Sequence, residues 1–224
     1  MTGPRTTLGE LETVLMPGTG FCLDVGCGDG RHRAFIESKG YAWFGVDLRY
    51  HTQLSSQANA LQLPIASGVC DVVVSWQSLE HFPRPWIAIQ DIQRVLKIDG
   101  LFCGSTSFLE PFHDYSYFGF SELGLRQLLS DHGFTNITII PGINAFPLMS
   151  WTLFSRMAGG RLAGLALSMS SSGLSLVNHL YPLANRLFFK LNRSLPPRLE
   201  DSYWFRQAPF DFAGHLAFRA YKAA

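Results

Sequence analysis

The sequence predicts an α/β fold built on a mostly parallel sheet, and three observations point there. Short apolar runs rich in β-branched and aromatic residues alternate with runs of helical period. A glycine cluster follows directly on the first of the apolar runs. The 224 residues are 47% hydrophobic and only 16% charged, which suits one folded domain, 1–224, with a sizeable insertion, and excludes a disordered chain.

Each element has its own signal. Leu8, Leu11, Val14 and Leu15 recur at helical spacing within 7–16, and Pro17 stops them. FCLDVG, at 21–26, reads as a buried strand. A helix over roughly 31–39 follows the glycines and closes at Gly40. YAWFGVD, at 41–47, is the second strand, and a short helix over about 49–56 is expected before the turn-rich stretch 58–68. CDVVVS, at 70–75, is a third strand, β-branched through its centre. Pro83 and Pro85 introduce a helix with apolar Trp86, Ile89, Ile92, Val95 and Leu96, which Gly100 is expected to end. LFCGSTSF (101–108), TNITII (135–140) and HLAFRAYK (215–222) are further strands. Ser121 can cap a helix over 122–132 that ends at Gly133. Such alternation implies right-handed crossovers. It defines a core over 20–140 and a final sheet strand over 215–222, interrupted by one long insertion, 143–213, expected to be mostly helical.

Charge is split along the chain. Residues 1–131 hold nine Lys/Arg and fourteen Asp/Glu, whereas 132–224 hold nine and three, so the net +1 conceals a −5 half and a +6 half. The four cysteines, Cys22, Cys27, Cys70 and Cys103, form no CxxC pair. They read as reduced, packed thiols of a cytoplasmic protein, with no metal site. The N-terminal stretch lacks the apolar segment of a secretory signal.

The chemistry concentrates in Asp24-Val-Gly26-Cys27-Gly28-Asp-Gly30, after a strand and before a helix. Bare Cα atoms there let a ligand approach the backbone outside the carboxyl end of the strand. A dinucleotide fingerprint would need glycine three residues after Gly28, where the chain has Arg31, and no G-K-[ST] follows to make a Walker loop. Asp47 ends the second strand, seventeen residues after Gly30. A carboxylate there can accept both hydroxyl protons of a ribose, a role common to several adenosine-binding enzymes; its plainer role would be to cap the next helix.

Together with Ala58-Asn59-Ala60, Leu63-Pro64 and CDVVVSWQSLEHFPRP, these motifs make the chain resemble the class I methyltransferases. The nearest group is the small family that includes ubiquinone and menaquinone methyltransferases. The resemblance covers roughly residues 20–140. It implies a three-layer α/β/α Rossmann-like sheet of seven strands, mostly parallel with an antiparallel last strand beside its neighbours. It also implies S-adenosyl-L-methionine as cofactor. Asp24, Gly26 and Gly28 would line its methionine half and Asp47 would hold its ribose, with Cys27, Gly30 and Leu48 also among the cofactor-binding residues. Asn59 would stand where the family has an Asp that meets the adenine amine, with the backbone of Ala60 facing a ring nitrogen. Ser75, Trp76 and Gln77 would close over the donor sulfur. The helix ending KIDG departs from the family's PGG, remote from the chemistry. The N-terminal helix is expected to flank the cofactor cleft.

The segment FLEPFHDYSYFGFSELGLRQLLSDHGF more loosely resembles methyltransferases of glycan and lipid-linked sugar pathways. It places His113, Asp114, Tyr115 and Tyr117 in an acceptor loop. His113 and His81 are the candidate general bases by side-chain pKa, and each has a packing or capping role as its plainer alternative. The implied function is methyl transfer to a small or amphiphilic acceptor: a sugar, a lipid-linked glycan or a quinol-like lipid. Two alternatives stand beside it, a non-catalytic cofactor-binding module and an NAD-dependent oxidoreductase, and Arg31 argues against the second. A nucleic-acid partner is not expected, since the charge is near neutral and no Asn/Asp-Pro-Pro-Tyr motif occurs. Within the insertion, 162–185 hold no Lys, Arg, Asp or Glu but contain five serines and Pro182, against a stable membrane span. The basic LFFKLNRSLPPR, at 187–198, makes peripheral contact with the inner face of a membrane the sharper expectation, and a packed helical lid the plainer one.

Overall fold

A computed structural model describes residues 8–110, 115–142, 145 and 213–224. The chain divides into two units, and the larger, Thr6–Phe108, Phe112–Gly142 and His215–Ala224, carries the whole sheet. The helical content expected of 143–213 falls outside the described residues.

The sheet has seven strands: β1 (Gly20–Val25), β2 (Tyr41–Asp47), β3 (Ser56–Gln57), β4 (Cys70–Trp76), β5 (Leu96–Ser107), β6 (Phe134–Pro141) and β7 (His215–Lys222). Their order is β3-β2-β1-β4-β5-β7-β6. β1 pairs in parallel with β2 and β4, and β4 with β5. β7 enters between β5 and β6, antiparallel to both, as the resemblance implies.

Among the described residues four named α-helices complete the layers: α1 (Leu8–Val14), α2 (Arg33–Ser38), α3 (Pro85–Val95) and α4 (Glu122–Asp131). The step from β1 to β2 runs one way along the sheet and the step from β4 to β5 the other, so right-handed crossovers place α2 and α3 on opposite faces. Leu11, Val14, Leu15 and Ile36 pack with Cys22, Val72, Val74 and Cys103 on one of those faces. The alternate residues Leu23, Val73, Phe102 and Phe218 are buried on the other. Pro85 opens α3, where its missing N–H costs nothing, and Ser121 caps α4 by accepting from the Gly124 N–H.

Two expectations are corrected. No helix forms over 49–56. The Asp47 Oδ1 accepts from the Arg49 N–H at 2.9 Å, and the Ser55 and Ala58 N–H groups bond back to Gly45 and Asp47 carbonyls, so the chain turns and runs beside β2 as β3. α3 ends at Val95, not Gly100, because Leu96 already pairs with Cys70 and opens β5. The helix α1 supplies none of the described lining of the cavity. Its apolar side is buried in the core, and the Glu10 Oε2 lies 2.6 Å from His215 Nε2 on β7.

The β1 and β4 strands are neighbours whose onward connections diverge, which leaves a crevice at their carboxyl ends. Among the described residues no helix is long and apolar enough to cross a membrane.

Candidate cofactor and acceptor site

A cavity of about 620 Å³ opens at that crevice, within the range of roughly 300–1,000 Å³ typical of small-molecule sites. Its floor is the bend after β1. Gly26 and Gly28 have φ of 74° and 54°, in the left-handed region that glycine enters without strain. The reasons for the two differ. A Cβ on Gly26 would lie 2.5 Å from the Ser78 Oγ, whereas a Cβ on Gly28 would meet nothing within 4 Å and would project into open space at the cavity.

One wall is the end of β2. The Gly28 N–H donates to Asp47 Oδ2 at 2.9 Å, so the carboxylate ties the glycine bend to the second strand. With the Arg49 N–H on its other oxygen, each oxygen keeps a lone pair for further donors. The opposite wall is the exit from β4. Gln77 adopts φ 52°, unusual for a residue with a side chain, held by its N–H on the Ser105 carbonyl and its amide on Ser105 Oγ at 3.0 Å. Ser78 then donates to the Gly26 and Trp76 carbonyls, pinning this exit to the β1 bend.

Beneath the bend lies Asp24, 1% exposed. Its Oδ2 accepts from Trp43 Nε1 at 3.0 Å, and its Oδ1 has no hydrogen-bond partner; neither does the buried Ser75 Oγ. Burial pushes the Asp24 carboxyl up to about 7, against the Trp43 hydrogen bond, with the Asp47 charge adding to the rise. Burial likewise pushes the Cys27 thiol up to about 12, which removes it as a thiolate. His32, edge-on to Trp76, is pushed down to about 4, chiefly by burial and then by the Arg31 charge. It is neutral at physiological pH.

Of the residues singled out in the sequence, Gly26, Cys27, Gly28, Asp47, Leu48, Asn59, Ala60, Trp76, Gln77 and His81 line this cavity. Three do not. Asp24 and Ser75 sit one layer below it, and Gly30 faces Trp43 and Gln53. The Asn59 Oδ1 accepts from the Leu61 N–H at 2.9 Å and keeps one lone pair. His113 lies outside the described residues, but Tyr115 and Tyr117 of the same loop reach the lining. That loop is anchored where the Tyr117 N–H donates to the Glu80 carbonyl at 2.7 Å, while the buried Glu80 carboxylate accepts from Thr106 Oγ1 at 3.0 Å.

The sequence reading missed Ser78, His32 and Arg49 as lining residues. Arg49 carried a usable signal, being two residues beyond the strand-ending Asp47. Ser78 and His32 had none beyond adjacency to a motif.

Residues 23–104 match the family described as a methyltransferase domain. An uncharacterized methyltransferase of Mycobacterium sp. (strain JLS) is 32% identical over 133 residues, 54% of this chain and 50% of that protein. The chain thus spans about half the length of the curated relatives it matches. The YcgJ protein of Bacillus subtilis superposes with a TM-score of 0.56 at 16% identity, covering 97% of this chain and 98% of that one. Phosphoethanolamine N-methyltransferase 2 of Haemonchus contortus, solved with phosphomonomethylethanolamine and S-adenosylhomocysteine, superposes with a TM-score of 0.56 at 16% identity, covering 97% of this chain and 52% of that one. At these identities the two structures share the fold.

Proposed function

Starting from the methyltransferase domain at residues 23–104, we propose that this chain binds S-adenosyl-L-methionine in the cavity described above and transfers its methyl group to a small or amphiphilic acceptor. The observation that carries this reading is the Gly28–Asp47 pair. A bare Cα open to the cavity adjoins a carboxylate whose spare lone pairs can accept ribose hydroxyls. Two further features fit an adenosyl sulfonium. The unpaired Asp24 Oδ1 lies under the bend and offers charge compensation to a cation above it, and the exposed Leu48 side chain lines the cavity beside Ala60, an apolar wall for an adenine ring.

When bound, the cofactor supplies a methyl group already activated on a sulfonium, so the protein's task is chiefly to position the acceptor in line and exclude water. Gln77, locked by Ser105, and Trp76 shape the wall where the acceptor approaches. His81 lines the same cavity and is the group assigned here to take a proton from an acceptor oxygen. The acceptor classes that suit a cavity rimmed by Tyr115 and Tyr117 are a sugar, a lipid-linked glycan and a quinol-like lipid. Peripheral contact of 143–213 with the inner face of a membrane belongs to the same proposal.

Calorimetric titration of the purified chain with S-adenosylhomocysteine tests the reading. Saturable binding is expected, with NADH giving none. No heat and no saturation with S-adenosylhomocysteine would overturn it.

A further inference from the structure

The described lining of the cavity carries charge of both signs. Asp47 is its single acidic side chain among the described residues, and both of its oxygens already accept backbone N–H groups. The cavity's cationic side chains among the described residues are Arg31 and Arg49, while His32 is neutral at physiological pH. The two arginines are not equivalent. Arg31 is held by Asp29 through Nε at 2.9 Å and Nη2 at 3.2 Å, outside the cavity's own chemistry. Arg49 has no carboxylate within ion-pair distance among the described residues. Instead its guanidinium lies 5.5 Å from the centroid of the Tyr115 ring.

That contact crosses the site. Arg49 follows β2 and Tyr115 follows β5, and β1 and β4 lie between them. At a strand spacing of about 4.8 Å, the two strand ends stand roughly 14 Å apart. The contact therefore spans the mouth of the cavity between two exposed side chains, and the aromatic face holds the guanidinium there. The loop carrying Tyr115 is itself fixed two residues on, by the Tyr117 N–H on the Glu80 carbonyl. Stacking on a ring leaves the edge N–H donors of a guanidinium unspent, a fork shaped to hold two oxygens of an anion.

We infer that Arg49, held against Tyr115, seats an oxyanion on the acceptor, a phosphate ester or a free carboxylate, which narrows the acceptor classes above to members that carry such a group, as a lipid-linked glycan does through its phosphate. This rests on the methyl-transfer reading for the word acceptor, while the oxyanion seat itself is testable apart from it. Such a group comes from either a soluble phosphorylated molecule or a lipid headgroup.

The test uses the full chain saturated with S-adenosylhomocysteine, so that the cofactor's own carboxylate is already accommodated. It is titrated with inorganic phosphate at matched ionic strength, and separately with phosphatidylglycerol and phosphatidylcholine vesicles. Phosphate should saturate, and Arg49→Ala should weaken it at least about tenfold, the scale of a lost charged hydrogen bond. Tyr115→Leu should weaken it less, and Tyr115→Phe, which keeps the ring, should leave it near wild type. Binding of phosphatidylglycerol vesicles alone, with the same Arg49 dependence, supports the seat and names a headgroup as its source. No saturation by phosphate or anionic vesicles, or saturation indifferent to Arg49→Ala, overturns the inference. Should S-adenosylhomocysteine itself fail to bind, the methyl-transfer reading falls, and the same phosphate titration without it still decides the seat by the same criteria.

Discussion

Trp43 on β2 donates its indole N–H to Asp24 on β1, at 3.0 Å, and is the partner the structure gives that buried carboxylate. The pair has a consequence for stability against pH. The folded-state pKa of Asp24 is raised to about 7 from 3.8, so the native state binds a proton that the unfolded chain releases. The stabilising contribution is therefore full below the unfolded value and is lost as pH rises through about 7. Urea unfolding at pH 5.5 and pH 8 checks this. Asp24→Asn should gain on wild type by roughly 1–3 kcal/mol over that interval. A difference that does not change with pH would place the titration elsewhere.

Gly28 and Gly68 make a matched pair. Both have positive φ, 54° and 68°, and a Cβ on either meets nothing within 4 Å. Alanine at either position should cost a similar ~1–2 kcal/mol of folding free energy, from the left-handed backbone alone. S-adenosylhomocysteine binding should survive Gly68→Ala and be lost or strongly weakened in Gly28→Ala. Equal affinities in the two variants would mean that nothing approaches the Gly28 Cα.

Asp47→Ala should weaken S-adenosylhomocysteine at least about tenfold, since it removes an acceptor of charged hydrogen bonds and frees the Gly28 bend. Asp47→Asn, which keeps one acceptor oxygen, should fall between the alanine variant and wild type. Calorimetry resolves all three, and an unchanged affinity in Asp47→Ala would remove the ribose assignment.

Thr106 tests the anchor of the loop that carries Tyr115 and Tyr117. Its hydroxyl donates to the fully buried Glu80 carboxylate. Thr106→Val leaves that charge short of a donor and should cost about 1–3 kcal/mol, while Thr106→Ser should cost much less. Chemical denaturation measures the difference. Equal stabilities would show that Glu80 draws its compensation from its other contacts.

How far the sequence could be read follows from where its signals are local. β2 and β7 match their expected bounds at both ends, because 41–47 and 215–222 are continuous apolar or alternating runs between clear breaks. β3 was illegible, since two residues carry no periodicity and its existence depends on bonds back to β2. The end of α3 was misplaced because Gly100 is the stronger local stop, yet Leu96 is claimed by pairing with Cys70, an interaction across twenty-six positions. In the site, Gly26, Gly28 and Asp47 were legible because a bend that must expose backbone restricts residue type. Arg49 was legible only by its place two residues beyond Asp47; its contact with Tyr115, sixty-six positions away, was not.

The insertion of β7 between β5 and β6 sets a timetable for synthesis. The five strands around the cavity, β3-β2-β1-β4-β5, can all hydrogen-bond once residue 107 has left the ribosome. β6 must then wait for more than seventy further residues before β7, its neighbour among the described residues, exists, and β5 meanwhile lacks that same partner. A nascent chain halted in this window would hold a nearly finished ligand pocket beside a sticky border, and for that interval ligand and chaperone would act on opposite halves of one sheet.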